Sequence, residues 1–384
     1  MNRASVTRLS QTLIIAIILL LSAAPGWAVT KSKKHRHPAY TPKATVRTIS
    51  YPAAPLTGVV RGGPWTEPTF ADSTQGDNVD GEDLEIRRAA VEALGPYNGS
   101  IVVVDPNSGR VLSMVNQKLA LGSGCQPCST IKVSVALAAL AEKVIDPATK
   151  LRLGGARMDL TYALAHSNNY FFATLGQKLG FEKLSYYAHQ FGYGEKAGLN
   201  IPGEQPGRYP EAAPANGGVG MLSSFGEEIS QTPLELAALL SAVANGGTLY
   251  YLQYPRSAQD GSRLIPQVKR QLEIQGLIPG IKPGMRAAVE LGTAHRARQE
   301  EPIAGKTGTC TDNKMHLGWF GAFNDVAGRK LVAVVLLTGG RPVAGPVAAG
   351  IAGDFYRRLT EHNYFATATK LNPTPATFFT STLH

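Results

Sequence analysis

Three short motifs in this 384-residue chain could do chemistry together. Ser129-Thr130-Ile131-Lys132 is the only SxxK. A serine hydroxyl becomes a useful nucleophile once a base takes its proton. Spacing i, i+3 on a helix puts both side chains on one face, one turn apart. A lysine serves as that base only where burial and a nearby cation lower its pKa. A helix start adds free N–H groups where an oxyanion would form. Ser167-Asn168-Asn169 is the only SxN. Ser167 suits a proton relay with Lys132, and Asn169 suits holding Lys132 and a substrate amide. Lys306-Thr307-Gly308 is the only KTG. Lys306 would supply the cation that depresses Lys132 and attracts a substrate carboxylate. Thr307 and Thr309 would donate to that carboxylate. Gly308 would let a substrate backbone lie close along the strand. Each motif alone has a plainer reading: a helix cap with a surface lysine, cap punctuation, and a sheet-edge glycine. A phosphate loop is excluded, because GxxxxGK[ST] does not occur around Lys306.

The elements around the motifs must position them. Leu84, Arg88, Val91 and Leu94 fit a helix that Gly95-Pro96 ends. Residues 100–105 and 110–114 read as two strands about a turn at 106–109. Residues 129–145, rich in Ala, Leu and Val, predict a buried central helix headed by Ser129. Residues 159–191 read as more helix, broken at Ser167. Thr232 and Pro233 open another helix as N-cap and first turn, which runs to Asn245. Residues 302–311, 317–323 and 330–338 read as strands, and 347–359 as a closing helix. Strands at both ends and helices between them predict a mixed α/β (α+β) fold. One antiparallel sheet is built from both ends of the domain and packs against a helical block.

Hydrophobic residues make up 43% of the chain, enough for a sizeable core, and the formal charge is +10. Such a balance suits an anionic partner. Residues 1–28 read as a signal peptide or N-terminal anchor. Arg3 and Arg8 precede an apolar run, and Gly26 and Ala28 are small residues at a cleavage site. Residues 29–81 read as a basic, Pro/Gly-rich disordered linker. Its basic part, residues 31–47, is available to anionic wall polymer or lipid headgroups. The domain is expected over 82–362, followed by a tail at 363–384. Three cysteines, Cys125, Cys128 and Cys310, allow one disulfide and one free thiol in an exported chain. No His pair accompanies them, so a zinc site is not expected.

In this order, SxxK, SxN and KTG resemble the signature of penicillin-binding proteins and serine β-lactamases. Further segments are similar to the transpeptidase branch. These are Leu179-Gly180-Phe181, Phe191-Gly192-Tyr193-Gly194, Ile201-Pro202-Gly203-Glu204, Gln231-Thr232-Pro233-Leu234 and Gly318-Trp319-Phe320-Gly321. The resemblance covers roughly residues 95 to 360. It implies a β-lactamase/transpeptidase-like fold and a DD-transpeptidase-like acyl transferase working through Ser129. Peptidoglycan stem peptides and β-lactams are its implied partners. Neither a cofactor, a metal nor a nucleic-acid partner is implied, and the oligomeric state stays open. The implied location is the cell envelope. A DD-carboxypeptidase or endopeptidase, a β-lactamase and a non-catalytic sensor use the same frame. The resemblance also brings the strand face of Cys310 toward the SxxK helix, so Cys128–Cys310 is the expected disulfide and Cys125–Cys128 its rival. Two departures stand out: the stretch from Ser129 to Ser167 is shorter than usual, and Glu227 replaces a glutamine.

Overall fold

The computed structural model describes residues 65–324 and 329–365. The leader or anchor at 1–28, the basic stretch at 31–47 and the tail after 365 lie outside those residues. No helix among the described residues is long and apolar enough to cross a membrane.

The described strands are β1 (Gly99–Val104), β2 (Val111–Val115), β3 (Leu151–Leu153), β4 (Ala156–Met158), β5 (Thr248–Tyr250), β6 (Val268–Gln271), β7 (Ile303–Asp312), β8 (Met315–Asn324) and β9 (Val332–Gly339). Five of them form one sheet in the order β2-β1-β9-β8-β7, with every pairing antiparallel. The first and last segments of the domain thus share the sheet, as the sequence predicts. β7 lies at its edge, which leaves one side of that strand unpaired.

The sheet is buried on both faces, and the period of two sorts its side chains. Val102, Val104, Trp319, Val334 and Leu336 join the core under the helical block. Ile101, Val103, Phe320, Val335 and Leu337 join a second core on the opposite face. The helical block holds α2 (Lys132–Ala141), α3 (Leu160–Ala165), α4 (Asn169–Gln190), α5 (Gly218–Phe225), α6 (Pro233–Asn245) and α7 (Ile278–Glu290). The other face is covered by α1 (Leu84–Leu94) and α8 (Gly345–Glu361). α6 begins with a full capping box: the Thr232 hydroxyl accepts from Glu235 N–H, and the Glu235 carboxylate accepts from Thr232 N–H.

Three expectations change. Residues 65–81 were expected in the linker, but they pack on the domain. Thr66 N–H donates to Lys314 O at 3.0 Å, and Phe70 bridges to Tyr97. The Asp77 carboxylate accepts from Arg87 and from the Asn116 and Gln117 N–H groups. These anchors are polar and aperiodic, so an apolar-period search does not register them. At the other end, Tyr364 is buried and donates to Asp83 at 3.0 Å, past the expected boundary at 362. Finally, the helix expected over 129–145 divides into a 3-10 turn at Cys128–Ile131 and α2, which ends at Ala141.

Cys128 and Cys310 form a disulfide with a Cα–Cα distance of 5.6 Å across 182 residues of chain. Cys125 is a buried free thiol. In the chain-entropy account a crosslink over such a loop stabilises by about 5 kcal/mol. Cys310→Ala is therefore expected to lower the urea midpoint by a matching amount. Non-reducing peptide mapping should recover Cys128 and Cys310 as one linked pair. A midpoint unchanged from wild type would show that the bond contributes nothing to stability.

Candidate active site

Ser129 sits in the 3-10 turn and is 8% exposed, beside the fully buried Lys132. The turn and α2 are continuous, so Ser129 and Lys132 stack one turn apart. Lys132 Nζ lies 2.9 Å from Ser129 Oγ. It also contacts Ser167 O at 2.8 Å, Ser167 Oγ at 3.1 Å and Asn169 Oδ1 at 2.6 Å. The rings of Phe172 and Phe225 close over it, 5.6 and 5.9 Å away. Burial first, and the charge of Lys306 second, pull Lys132 from the ordinary lysine range down to about 6.

Counting donors and acceptors defines what this amine can do. A neutral amine has two N–H donors and one lone pair. Ser167 O and Asn169 Oδ1 only accept, so they take both donors. The lone pair is left for a hydroxyl, and both Ser129 and Ser167 stand within reach. This is the geometry of a general base beside its nucleophile.

Ser167 lies in the break between α3 and α4, with φ at +54°. A serine rarely adopts this left-handed conformation, which costs on the order of 1–3 kcal/mol. The strain places its carbonyl and its hydroxyl on the same amine. The break itself is set by capping: Asn168 Oδ1 accepts from Phe171 N–H and starts α4 afresh.

β7 supplies the third motif and sorts it by face. Lys306 points into the site, where Nζ donates to Ser167 Oγ at 2.8 Å and to Thr307 O at 3.0 Å. Burial lowers it to about 7. The threonines turn the other way. Thr307 Oγ1 is 2.7 Å from Thr293 Oγ1, and Thr309 Oγ1 accepts from Gly345 N–H at 2.8 Å. Each hydroxyl thus has one protein partner and keeps further hydrogen-bonding capacity. Gly308 also meets an internal packing requirement, beside the close substrate approach expected of it. A Cβ there would lie 2.8 Å from Pro127 O and 3.2 Å from the Thr130 methyl. The missing side chain lets the nucleophile's own turn press against the strand.

Sequence reasoning missed several supports. Trp319, opposite Gly308 in the β7–β8 register, is fully buried and donates from Nε1 to Gln126 O at 2.9 Å. The Gln126 side chain reaches Phe225 O at 3.1 Å and Glu227 at 3.2 Å. That contact locates the charge of Glu227 beside the loop that enters the turn. Thr293 N–H donates to Ala165 O at 3.0 Å while its hydroxyl meets Thr307, so one residue ties the SxN break to β7. Ser224 Oγ donates to Asn169 O at 2.9 Å. Trp319 stands in a quoted segment, whereas Gln126, Thr293 and Ser224 carry no motif; only paired strand register or a packed loop reveals these contacts.

Trp319→Phe keeps most of the buried ring and removes the donor to Gln126. It is expected to slow acylation of Ser129 by roughly tenfold, the value of one buried hydrogen bond. Non-covalent affinity for the acylating ligand should stay near wild type. An equal loss in affinity and rate would reduce Trp319 to core filling.

The family described as the penicillin-binding protein transpeptidase domain matches residues 99–357. Stage V sporulation protein D of Bacillus subtilis is 29% identical over 308 residues, which cover 69% of this chain and 48% of that protein. Peptidoglycan D,D-transpeptidase MrdA of Haemophilus influenzae is 24% identical over 360 residues, covering 71% of this chain and 55% of that protein. The chain thus spans about half the length of these curated relatives. Among solved structures, the D,D-transpeptidase domain of an Eggerthella lenta peptidoglycan glycosyltransferase superposes with a TM-score of 0.56 at 20% identity, covering 73% of this chain and 82% of that one. Pseudomonas aeruginosa PBP2 superposes at 0.60 and 22% identity, covering 73% and 77%. With the sheet, the helical block and the three motifs in one site, the chain belongs to the penicillin-binding protein transpeptidase domain family.

Proposed function

We propose that this chain is a serine acyltransferase of the DD-transpeptidase type, exported to the cell envelope and acting on peptidoglycan stem peptides. The observation that supports this most is the buried Lys132 amine, held 2.9 Å from Ser129 Oγ with both N–H donors engaged elsewhere. Ser129 Oγ attacks the carbonyl of the penultimate D-alanine, and Lys132 takes the hydroxyl proton. The oxyanion is received by the backbone N–H groups of Ser129 and Thr309, the latter on the open edge of β7. Ser167 bridges Lys132 and Lys306 and returns the proton to the departing D-alanine nitrogen. Asn169 accepts from Lys132 through Oδ1, which leaves its amide nitrogen for a substrate carbonyl. Lys306 attracts the terminal carboxylate. An amine from a neighbouring stem then attacks the ester on Ser129. A β-lactam enters the same site as an acylating mimic.

Intact-mass spectrometry after benzylpenicillin should show one adduct, absent in Ser129→Ala. Lys132→Ala should acylate well over ~100-fold more slowly, the usual scale of general-base catalysis. An adduct that survives Ser129→Ala would overturn the assignment.

The pH profile tests the division of labour between the lysines. Lys132 acts as a base only when neutral, so the acylation rate should rise as pH passes about 6. Lys306 works as a cation, so the rate should fall again above about 7. Lys306→Ala removes the charge that repels a proton from Lys132, so the acid limb should move to higher pH. A flat profile between pH 5 and 8 is incompatible with this scheme.

A further inference from the structure

We propose that the β3–β4 ribbon is a docking site for peptidoglycan carboxylates, held between Arg152 and Arg157. The choice of polymer rests on the stem-peptide reading above. The ribbon occupies the stretch between the SxxK and SxN motifs, where the chain is shorter than its family's usual form. Its register sets Arg152 directly opposite Arg157. Residues so paired share one face, with Cβ atoms about 5 Å apart. Like charges at that spacing repel, and a sheet normally avoids the pairing.

The ribbon cannot escape it. Gly154 and Gly155, at φ +56° and +92°, make a two-residue turn that fixes the register. On the other face, Leu151, Leu153 and Met158 pack against the main core, so the ribbon cannot turn over. Both arginines are exposed, and among the described residues neither forms an ion pair. Asp159, the nearest acid in sequence, is committed to capping α3 through Tyr162 N–H. Two adjacent guanidinium groups without an acid match carboxylate oxygens in geometry and charge. The larger apolar side chains, Leu151, Leu153 and Met158, pack on the core, so the ribbon offers no large apolar group to insert into a lipid surface. It leads directly through Asp159 and α3 to Ser167. A stem peptide at Ser129 and its neighbours on the same strand are the anions this route delivers.

The test compares the full-length chain with its Arg152→Gln/Arg157→Gln form in co-sedimentation with isolated sacculi at 0.15 M salt. Residues 31–47 are common to both, so the affinity ratio reads the ribbon. The double variant should bind about tenfold more weakly, as expected for two exposed charge contacts. Wild type should lose a similar factor on sacculi whose carboxylates have been amidated, and the variant should lose nothing further. A thermal midpoint within a degree of wild type confirms that the ribbon change leaves the fold intact. Unchanged binding by the variant would overturn the proposal. So would an undiminished variant effect on amidated sacculi. Arginine-dependent binding to phosphatidylglycerol vesicles without any to sacculi would also reject it. Absence of a benzylpenicillin adduct on wild-type Ser129 would instead sink the acyltransferase reading, whatever the sacculi show.

Discussion

The structure depends on keeping one amine uncharged inside a protein. Lys132 is fully buried, and an ammonium ion there would lose its hydration with no carboxylate to compensate. Every partner within hydrogen-bond reach is a neutral oxygen. A neighbouring acid would stabilise the charged form and end its use as a base. Among the described residues the formal charge that acts on it is Lys306, of the same sign, joined to it through the Ser167 hydroxyl. Burial and like charge thus act in the same direction. The arrangement costs stability, because neither lysine is solvated as it would be in the unfolded chain. The two large cores above and below the sheet offset that cost.

A base so placed is useful only while Ser129 stays above it, and the turn carrying Ser129 is restrained from several sides. The disulfide joins Cys128 to β7, Trp319 holds Gln126 from β8, and Gly308 allows the strand to meet Pro127. Thr293 fixes the SxN break to the same strand from the opposite direction. Gly292 makes that possible, since a Cβ there would lie 2.1 Å from Ala165 O. Cys128 has φ at +52° and Ser167 at +54°, so both loops that bear reacting groups hold left-handed residues. Packing on all sides is what maintains such conformations against their intrinsic cost.

Much of this was legible in the sequence because the relevant signals are local. The β1–β2 hairpin announces itself by turn residues between apolar runs, and α6 by Thr232 and Pro233. The buried strands β7 to β9 show as continuous apolar or motif-bearing segments. The three motifs were readable as one site because each needs the others to make chemical sense. What escaped notice lacks a local signature. α7 carries Pro279, Gly280, Pro283 and Gly284, which conceal a helix that its burial stabilises. Its Gly284 is needed, since a Cβ would lie 2.7 Å from Leu164. The β3–β4 ribbon has strands of three residues, too short for alternation to stand out. Residues 65–81 dock by backbone and side-chain hydrogen bonds, which composition does not record.

β7 shows why the motif's residue types are what they are, beyond their contact with a substrate. One face of this edge strand must hold the reaction's cation, abut the nucleophile's turn and anchor it. Lys306, Gly308 and Cys310 do these three things at alternate positions. The other face must brace the strand against the rest of the domain, and Thr307 and Thr309 do so through Thr293 and Gly345. With both faces engaged by protein, the free edge of the backbone remains for an extended ligand. Such a ligand would add to the sheet by main-chain hydrogen bonds. Glycine in the motif therefore reports an internal approach of strand to turn. A larger residue at Gly308 would press on Pro127 and Thr130, which flank Ser129 in the turn.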